Sequence, residues 1–451
     1  MNKSRFTIIN ADVILSSGAE NTVIDVRSNI VELSFFESLH KEFVDARIVM
    51  LDDFGFRSEL STTGTERINI VVADGNDPQS SQINKTFFFS KINDVQKTNE
   101  RAEILSIDLV EEHVYVNAMK CISRSYEGTL EDAIIDISSR DLGKDVIKTS
   151  KFEGSAQGQR KFVIPYMSPL ESIQWLKNRM TTRTGSPVYI SADLYNNELA
   201  FMSLDELLRT DVINESLPLR YTDAMSSAEG EQEFKKIYYQ INHFEETNAE
   251  DALALYEEGA IGSLYSTLDA HTGQRFDTHI SVREIIQDFY TNELISESTS
   301  QNIYDPSLVI QGKPSDEYDA IAIHQVTSSN TFNQFKSYHD ESQLIDGTTL
   351  YESRLKVKNK VIRQILKKNM IDIEMDGALF IEGKVSPGAR LRVIFLNPNS
   401  ASDTKDPTNS IDSKRSGDYL LMNTAHNMLD ESHTVSARMV KLGDIPSNFA
   451  L

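Results

Sequence analysis

His271 and His279 stand eight residues apart in AHTGQRFDTH, and His324 and His339 stand alone. A bound zinc or similar ion needs three or four donors at close spacing, as in HExxH or paired CxxC. Neither pattern occurs, so these histidines are expected at the surface or in hydrogen bonds, and no metal or other cofactor is expected. Asp52 and Asp53 in LDDFG could be imagined as an acid–base pair. Adjacent residues on a strand face opposite sides, so they could not share a substrate, and Asp53-Phe54-Gly55 reads as a turn. Gln311-Gly312-Lys313-Pro314 lacks the upstream glycine of a phosphate loop and has proline where a hydroxyl residue is required. There is no GxSxG elbow. Cys121, the one cysteine, lies in the apolar-flanked stretch NAMKCIS and reads as a small core residue rather than a nucleophile. No catalytic residue emerges, and an enzyme is not expected.

Composition narrows the classes further. The 451 residues suggest about three domains at roughly 150 residues each. A single cysteine excludes an intrachain disulfide framework, which fits assembly in a reducing cytoplasm. Acids outnumber bases 68 to 45, a net charge of −23 that favours solubility and opposes wrapping of nucleic acid. The acidic excess concentrates between Asp211 and Ala260, where twelve acids face three bases and leave nine net negative charges. A helix expected over Thr349–Asn369 carries Val357, Val361, Ile365 and Leu366 on one face, with Lys356, Lys358, Lys360, Arg363, Lys367 and Lys368 around the rest. It lacks interleaved aromatics, so a solvated face or a dock for an acidic neighbour is expected rather than nucleic-acid readout. No run of eighteen apolar residues occurs, so no membrane-spanning helix is expected. The first residues, MNKSRFTIINADVIL, alternate like a strand rather than forming the apolar core of a signal peptide.

The elements that would position any site are mostly strands. FTIINADVIL, IVELSFFESL, ARIVMLDD, ERINIVVAD and KTFFFSKIND alternate or cluster β-branched and aromatic residues between turn signals, as in an antiparallel barrel or sandwich. AEILSIDLVEEHVYVNAM continues that pattern to about Met119. Leu130, Ala133, Ile134 and Ile137 then recur at helical spacing, with Glu131 and Asp132 in the first turn. Ser168-Pro169-Leu170-Glu171 has the spacing of a capping box with proline at the first helical position. Ile173, Leu176 and Met180 form that helix's apolar face, beside Trp175. A hairpin turning at Asn196-Asn197 follows, and a short helical piece begins at Ser203. KKIYYQINHFEE opens a second β-rich region, residues 290–345 are polar, and strands return in MIDIEMDG, ALFIEGKVS, ARLRVIFLN, DYLLMNTAHNML and HTVSARMVKLG.

The order of these motifs resembles the central baseplate-hub proteins of contractile-tailed phages, and the hub-like part of type VI secretion spike proteins. VDARIVMLDDFGFRSELSTTGTERINIVV is similar to the family's first barrel hairpins. MKCISRSYEGTLEDAIIDI is similar to its crossover into an inserted domain, with Ser123, Ser125, Tyr126 and Gly128. FVIPYMSPLESIQWLKNRM with SPVYISADLYNNELAFMSLDELL is the most specific stretch. Gly259, Tyr265 and Asp269 match a second-barrel hairpin, and IDIEMDGALFIEGKVSPGARLRVIF and SGDYLLMNTAHNML its closing strands.

The resemblance implies a mainly β fold with α+β inserts, built on two tail-tube-like antiparallel β-barrels and smaller inserted domains. The divisions expected are a first barrel over 1–118 and an α+β insert over 119–215. The first part of a second barrel follows over 216–290, then an irregular insertion over 291–348, and a helix with the closing strands over 349–451. The function implied is a structural hub in the virion's tail baseplate, assembled in the host cytoplasm. A homotrimer would present six barrels to a six-fold tail-tube protein and three-fold symmetry to a central spike protein. Tape-measure and baseplate wedge proteins are further expected partners, with DNA only as passing cargo and no membrane insertion. Alternatives are another tail component, a tube or wedge protein, or a tail-associated polysaccharide-degrading enzyme. The last needs paired carboxylates in an aromatic groove, which one tryptophan in the chain makes the weaker reading. Glu229, Glu231 and Glu233 alternate as lumen-facing strand residues would and are the candidate channel-facing acids.

Overall fold

A computed structural model describes residues 5–17, 20–60, 66–75, 82–97, 102–148, 160–180, 182, 184–221, 239–247, 252–257, 261–269, 275–291, 309–318, 321–327, 355, 358–363, 366, 370–396, 411–412, 414–430 and 432–443. The first seven strands are β1 (Phe6–Ser17), β2 (Glu20–Asp25), β3 (Ile30–Ser38), β4 (Asp45–Asp52), β5 (Arg67–Asp74), β6 (Gln82–Lys97) and β7 (Glu103–Val110). Alternation along β4, β7 and most of β5 sets their inner face. Ala46, Ile48 and Met50 on β4, Ile68 and Ile70 on β5, and Leu105 and Ile107 on β7 are buried in one core.

The chain then leaves the sheet. Glu112–Met119 is a helix, not the continuation of β7 that its alternating valines suggest. Local β preference is overridden by tertiary contacts. The buried ring of His113 reaches the carbonyl of Glu42 at 2.9 Å, and the Tyr115 hydroxyl donates to the carbonyl of Phe89. Cys121 is exposed rather than in the core. Its neighbour Ile122 takes the inward position, bridging to Met167.

The α+β insert contains β8 (Ser125–Gly128), β9 (Val146–Lys148), β10 (Arg160–Val163), β11 (Val188–Ser191) and β12 (Leu199–Ser203). Both expected helices form. Leu130–Ile137 starts with a capping box of Thr129 and Asp132, and Pro169–Lys177 with one of Ser168 and Glu171. Ile134, Ile137, Ile173, Leu176 and Met180 are buried in the same core as the first strands, so the insert is packed onto them. The hairpin β11–β12 and the helix Leu204–Leu208, capped by Ser203, complete it.

The remaining strands are β13 (Leu219–Tyr221), β14 (Gln240–Thr247), β15 (Gly262–Asp269), β16 (Arg275–Ser281), β17 (Val309–Ile310), β18 (Lys313–Pro314), β19 (Ile321–Thr327), β20 (Met370–Asp376), β21 (Arg390–Ile394), β22 (Gly417–Leu429) and β23 (Ser432–Gly443). Strands β21-β13-β14-β20-β23-β22 follow one another and β22 pairs back with β21, closing a six-stranded barrel. Among the described residues of the stretch 216–290, only β13 and β14 join this barrel. The hairpin β15–β16, which carries Tyr265 and Asp269, pairs instead with β19 in a separate sheet. The stretch 291–348, expected to be irregular, supplies β19. Gly259 lies outside the described residues. Within the basic segment, residues 358–363 are helical and bury Val361 and Ile362.

The first six barrel strands repeat the second barrel's order. The run β1-β5-β6-β7-β4-β3 matches β13-β21-β22-β23-β20-β14 strand for strand. Each half places a short helix after its β4-type strand. At the first, Gly55, Phe56 and Arg57 donate their backbone N–H groups to the Asp52 carboxylate. At the second, Ala378 N–H donates to Asp376. Each helix buries one phenylalanine completely, Phe56 in Phe56–Glu59 and Phe380 in Ala378–Glu382. Asp52 is therefore a helix-start acceptor, which agrees with the turn read at Asp53-Phe54-Gly55.

Candidate functional site: the joint between the barrels

Strand β22 has two partners along its length. Residues 417–420 pair with β21 inside the second barrel, and residues 423–429 pair antiparallel with β3 of the first. The hairpin tip also reaches the start of the first barrel, where Arg5, just before β1, bridges Ser432. The first barrel thus borrows the second barrel's hairpin, and one continuous sheet runs through both.

Side chains lock this joint on each face. On one, Ser38 donates to the Asn423 amide oxygen at 2.8 Å and Ser34 to that of Asn427 at 3.2 Å. On the other sits Glu37, 2% exposed. Its carboxylate accepts from Leu194 N–H of the insert at 2.9 Å and from the Thr424 hydroxyl at 2.8 Å. His426 Nε2 lies 3.4 Å away and is not aligned as a hydrogen bond. One buried carboxylate therefore ties the first barrel, the insert and the second barrel's hairpin together. Such a group is tolerable only because hydrogen bonds replace the water it lost.

His426 and His433 stack with ring centres 5.3 Å apart, and His426 Nδ1 is 3.2 Å from His433 Nε2. One of these nitrogens must donate and the other accept, so the two rings cannot both be fully protonated. Burial, and then the neighbouring His426, hold His433 well below the usual imidazole range. Gly377 leaves the room this ring needs. A Cβ there would sit 2.1 Å from His433 Nδ1, while Gly377 N–H donates to the His433 carbonyl at 3.0 Å. Both histidines are fully buried, so the cluster is closed to any substrate and acts as a fastening.

A second buried network fixes the insert to the first barrel. Glu111 accepts from Val44 N–H at 2.9 Å and from Lys144 at 3.0 Å, with Lys85 at 3.4 Å. Burial acts to raise the Glu111 carboxyl, but the lysines overcome it and hold the group below its ordinary range. Burial likewise lowers Lys85, against the pull of Glu111. Lys177 reaches Glu42 at 2.6 Å, both nearly inaccessible. Breaking one partner of such a pair would leave a stranded charge.

Glu229, Glu231 and Glu233 lie outside the described residues, as do His271 and His339. His279 is exposed. Among the described residues no three metal-donating side chains come together. The residues that matter at the joint, Glu37, His426 and His433, carry no sequence signal of their own. A cross-hairpin reading could have found the histidines: a turn at Asp430 puts His433 opposite Met428, next to His426.

No protein-family model matches the chain, and no curated protein matches it. Crystal structures of two tail proteins are similar to it in fold. The 43 kDa tail protein of prophage MuSo2 from Shewanella oneidensis aligns over 95% of this chain and 98% of its own length, at 11% identity and a TM-score of 0.51. The tail protein from Neisseria meningitidis MC58 aligns over 96% and 97%, also at 11% identity and 0.51. Likeness across nearly the whole of both chains means that the two barrels, the insert and their order belong to one shared architecture.

Proposed function

We propose that this chain is a structural hub subunit of a phage-type tail baseplate. Three copies form a ring of six barrels that joins a six-fold tail tube to a three-fold central spike. The observation that carries the reading is the duplicated barrel with its internal joint. Two copies of one strand order, linked edge to hairpin, supply two similar contact units per chain. Three chains then offer six near-equivalent units at one end while keeping true three-fold symmetry at the other. The tail-protein fold supports this reading, and the buried fastenings suit a part that transmits force without chemistry. The test is the mass of the purified protein by sedimentation or native mass spectrometry, alone and mixed with a spike protein. Three chains per particle are expected, or a monomer that trimerises on the spike. A stable six-chain particle or a chain that stays monomeric under both conditions would overturn it.

The same reading assigns the acidic excess to the ring's channel, with Glu229, Glu231 and Glu233 as the candidate wall residues. Duplex DNA carries about one negative charge per 1.7 Å of axis, so a wall of carboxylates would repel it and keep it centred. Screening would limit the effect to about 10 Å at 0.1 M salt. Replacing all three with lysine should slow DNA ejection most at low salt. Unchanged ejection would assign the charge to solubility alone.

A further inference from the structure

The repeat makes a specific demand on two strand edges. In the first barrel, the outer edge of β3 is covered by residues 423–429 of β22. In the second barrel β14 occupies the position of β3. Beyond its pairing with β13 at residues 240–241, no described strand lies along its outer edge. In the first barrel β6 occupies the position of β22. It pairs with β5 through residues 82–88 and with β7 through 88–97, so from Lys91 onward its other edge also has no described strand. Exposure follows this difference. Thr424, His426 and Met428 are buried, whereas Lys91, Asn93, Asp94, Gln96 and Lys97 are exposed, as are Asn242, His243, Glu245 and Glu246.

We infer that β14 of one copy pairs antiparallel with the far half of β6 of the next, repeating between chains the joint that β3 and β22 make within one. This rests on the ring reading above and specifies its contact. The register follows from the ladders. Asp52 and Asp376 start the two equivalent helices and stand opposite Glu103 and Thr434. Those residues face Lys97 and Asn427 across their hairpins, so Lys97 takes the place of Asn427. Arg47, five before Asp52, faces Ser34; Ile371, five before Asp376, faces Glu246, so Glu246 takes the place of Ser34. Asn427 faces Ser34 in the internal joint. Lys97 of one chain therefore faces Glu246 of the next, and Gln96 faces Thr247.

The chemistry of the two edges suits this occupant. An open edge offers unpaired N–H and C=O groups to another strand. On one edge Lys91 and Lys97 outnumber Asp94, and the other carries Glu245 and Glu246; Lys97 also lies 4.0 Å from Glu103, and Glu246 pairs with Arg415 of its own chain. Unlike edges therefore attract weakly, and the backbone pairing supplies most of the contact. The contact is head-to-tail, which closes into a ring when the rotation per barrel divides a full turn.

The experiment uses full-length chain with Cys121→Ser, to remove the exposed thiol, plus Lys97→Cys and Glu246→Cys. Mild oxidation of the assembled particle should give a reducible species of three-chain mass on a denaturing gel. Each single cysteine variant should give none. Amide exchange at residues 91–97 and 242–247 should slow at least ten-fold on assembly. A particle of three chains whose two thiols stay free, with no slowing at either strand, would overturn the pairing while leaving the ring reading intact. Cross-linking by one single-cysteine variant would also overturn it, because like edges would then be meeting. Failure to form any oligomer, with or without a spike protein, counts against both.

Discussion

The two barrels share a strand order but not a way of closing. The second seals through a short β13, parallel to both β14 and β21. The first has a long β1, antiparallel to β5, and among the described strands completes itself through its neighbour's hairpin at β3 and at the Arg5–Ser432 bridge. A barrel that closes on its own strands does not need its neighbour to complete the cylinder, even where part of an edge such as that of β14 has no described partner, whereas one that borrows strands makes its stability depend on its neighbour. The difference teaches that the chain is an assembly in miniature, with one barrel presented as host and the other as guest.

The largest test of that contrast removes each barrel's helix anchor. Phe56→Ala and Phe380→Ala each delete a fully buried ring and should cost about 3–5 kcal/mol. If the joint couples the barrels, either variant lowers a single unfolding transition in urea. Two transitions, each moved by only one variant, would mean the barrels fold apart and would break the comparison.

The helix corners differ in a way glycine substitution exposes. At Gly377 the obstacle is space, because an added methyl meets the His433 ring at 2.1 Å. Gly377→Ala should cost about 3 kcal/mol, the upper end for overpacking. At Gly55 the obstacle is conformation, since φ is +84° but the nearest atom to an added Cβ is 3.5 Å away. Gly55→Ala should cost about 1–2 kcal/mol. Thermal melts of the two variants check the order.

Glu37→Ala tests the joint itself. It strands the Leu194 N–H and the Thr424 hydroxyl in a dry site, an expected loss of about 2–4 kcal/mol. Limited proteolysis should then cut near the joint before it cuts within either barrel. Equal resistance to the parent protein would show that the backbone ladder alone holds the barrels together.

Acid should loosen the same region. Burial holds His433 and His113 below their ordinary value of 6.5, so the unfolded chain binds protons there that the folded chain refuses. Stability is full above about pH 6.5 and falls as pH drops below it, by at most about 1.4 kcal/mol per pH unit for each such histidine until the folded group itself takes up a proton. His433→Gln should flatten the slope of stability against pH between 6.5 and 5. The smallest effect belongs to surface pairs on equivalent strands, Arg47–Asp108 and Arg438–Asp372. Replacing Asp108 or Asp372 with asparagine should cost less than about 1 kcal/mol in either barrel, and less still in high salt.

Much of this was legible in the chain. Alternation at Ala46, Ile48 and Met50 determines an inner face, and the boxes Thr129–Asp132 and Ser168–Glu171 determine where two helices start, because these rules act over a few neighbouring residues. The carboxylate of Asp52 is fixed to its turn by the same local logic. The tertiary structure alone decided the rest. Val114 and Val116 read as strand and fold as helix because His113 and Tyr115 find partners far away in sequence. Cys121 is outside because Ile122 is inside. Tyr265 and Asp269 sit in a separate sheet because β15 pairs with β19, a choice made between strands about fifty residues apart. Glu37, His426 and His433 are ordinary strand residues until β22 crosses from one barrel to the other. Strand pairing depends on which edges meet in space, and the energy of meeting is spread over a ladder of backbone groups that every residue type shares. That is why the sequence alone determines most of the strands of this protein, and only the folded chain decides which barrel each one completes.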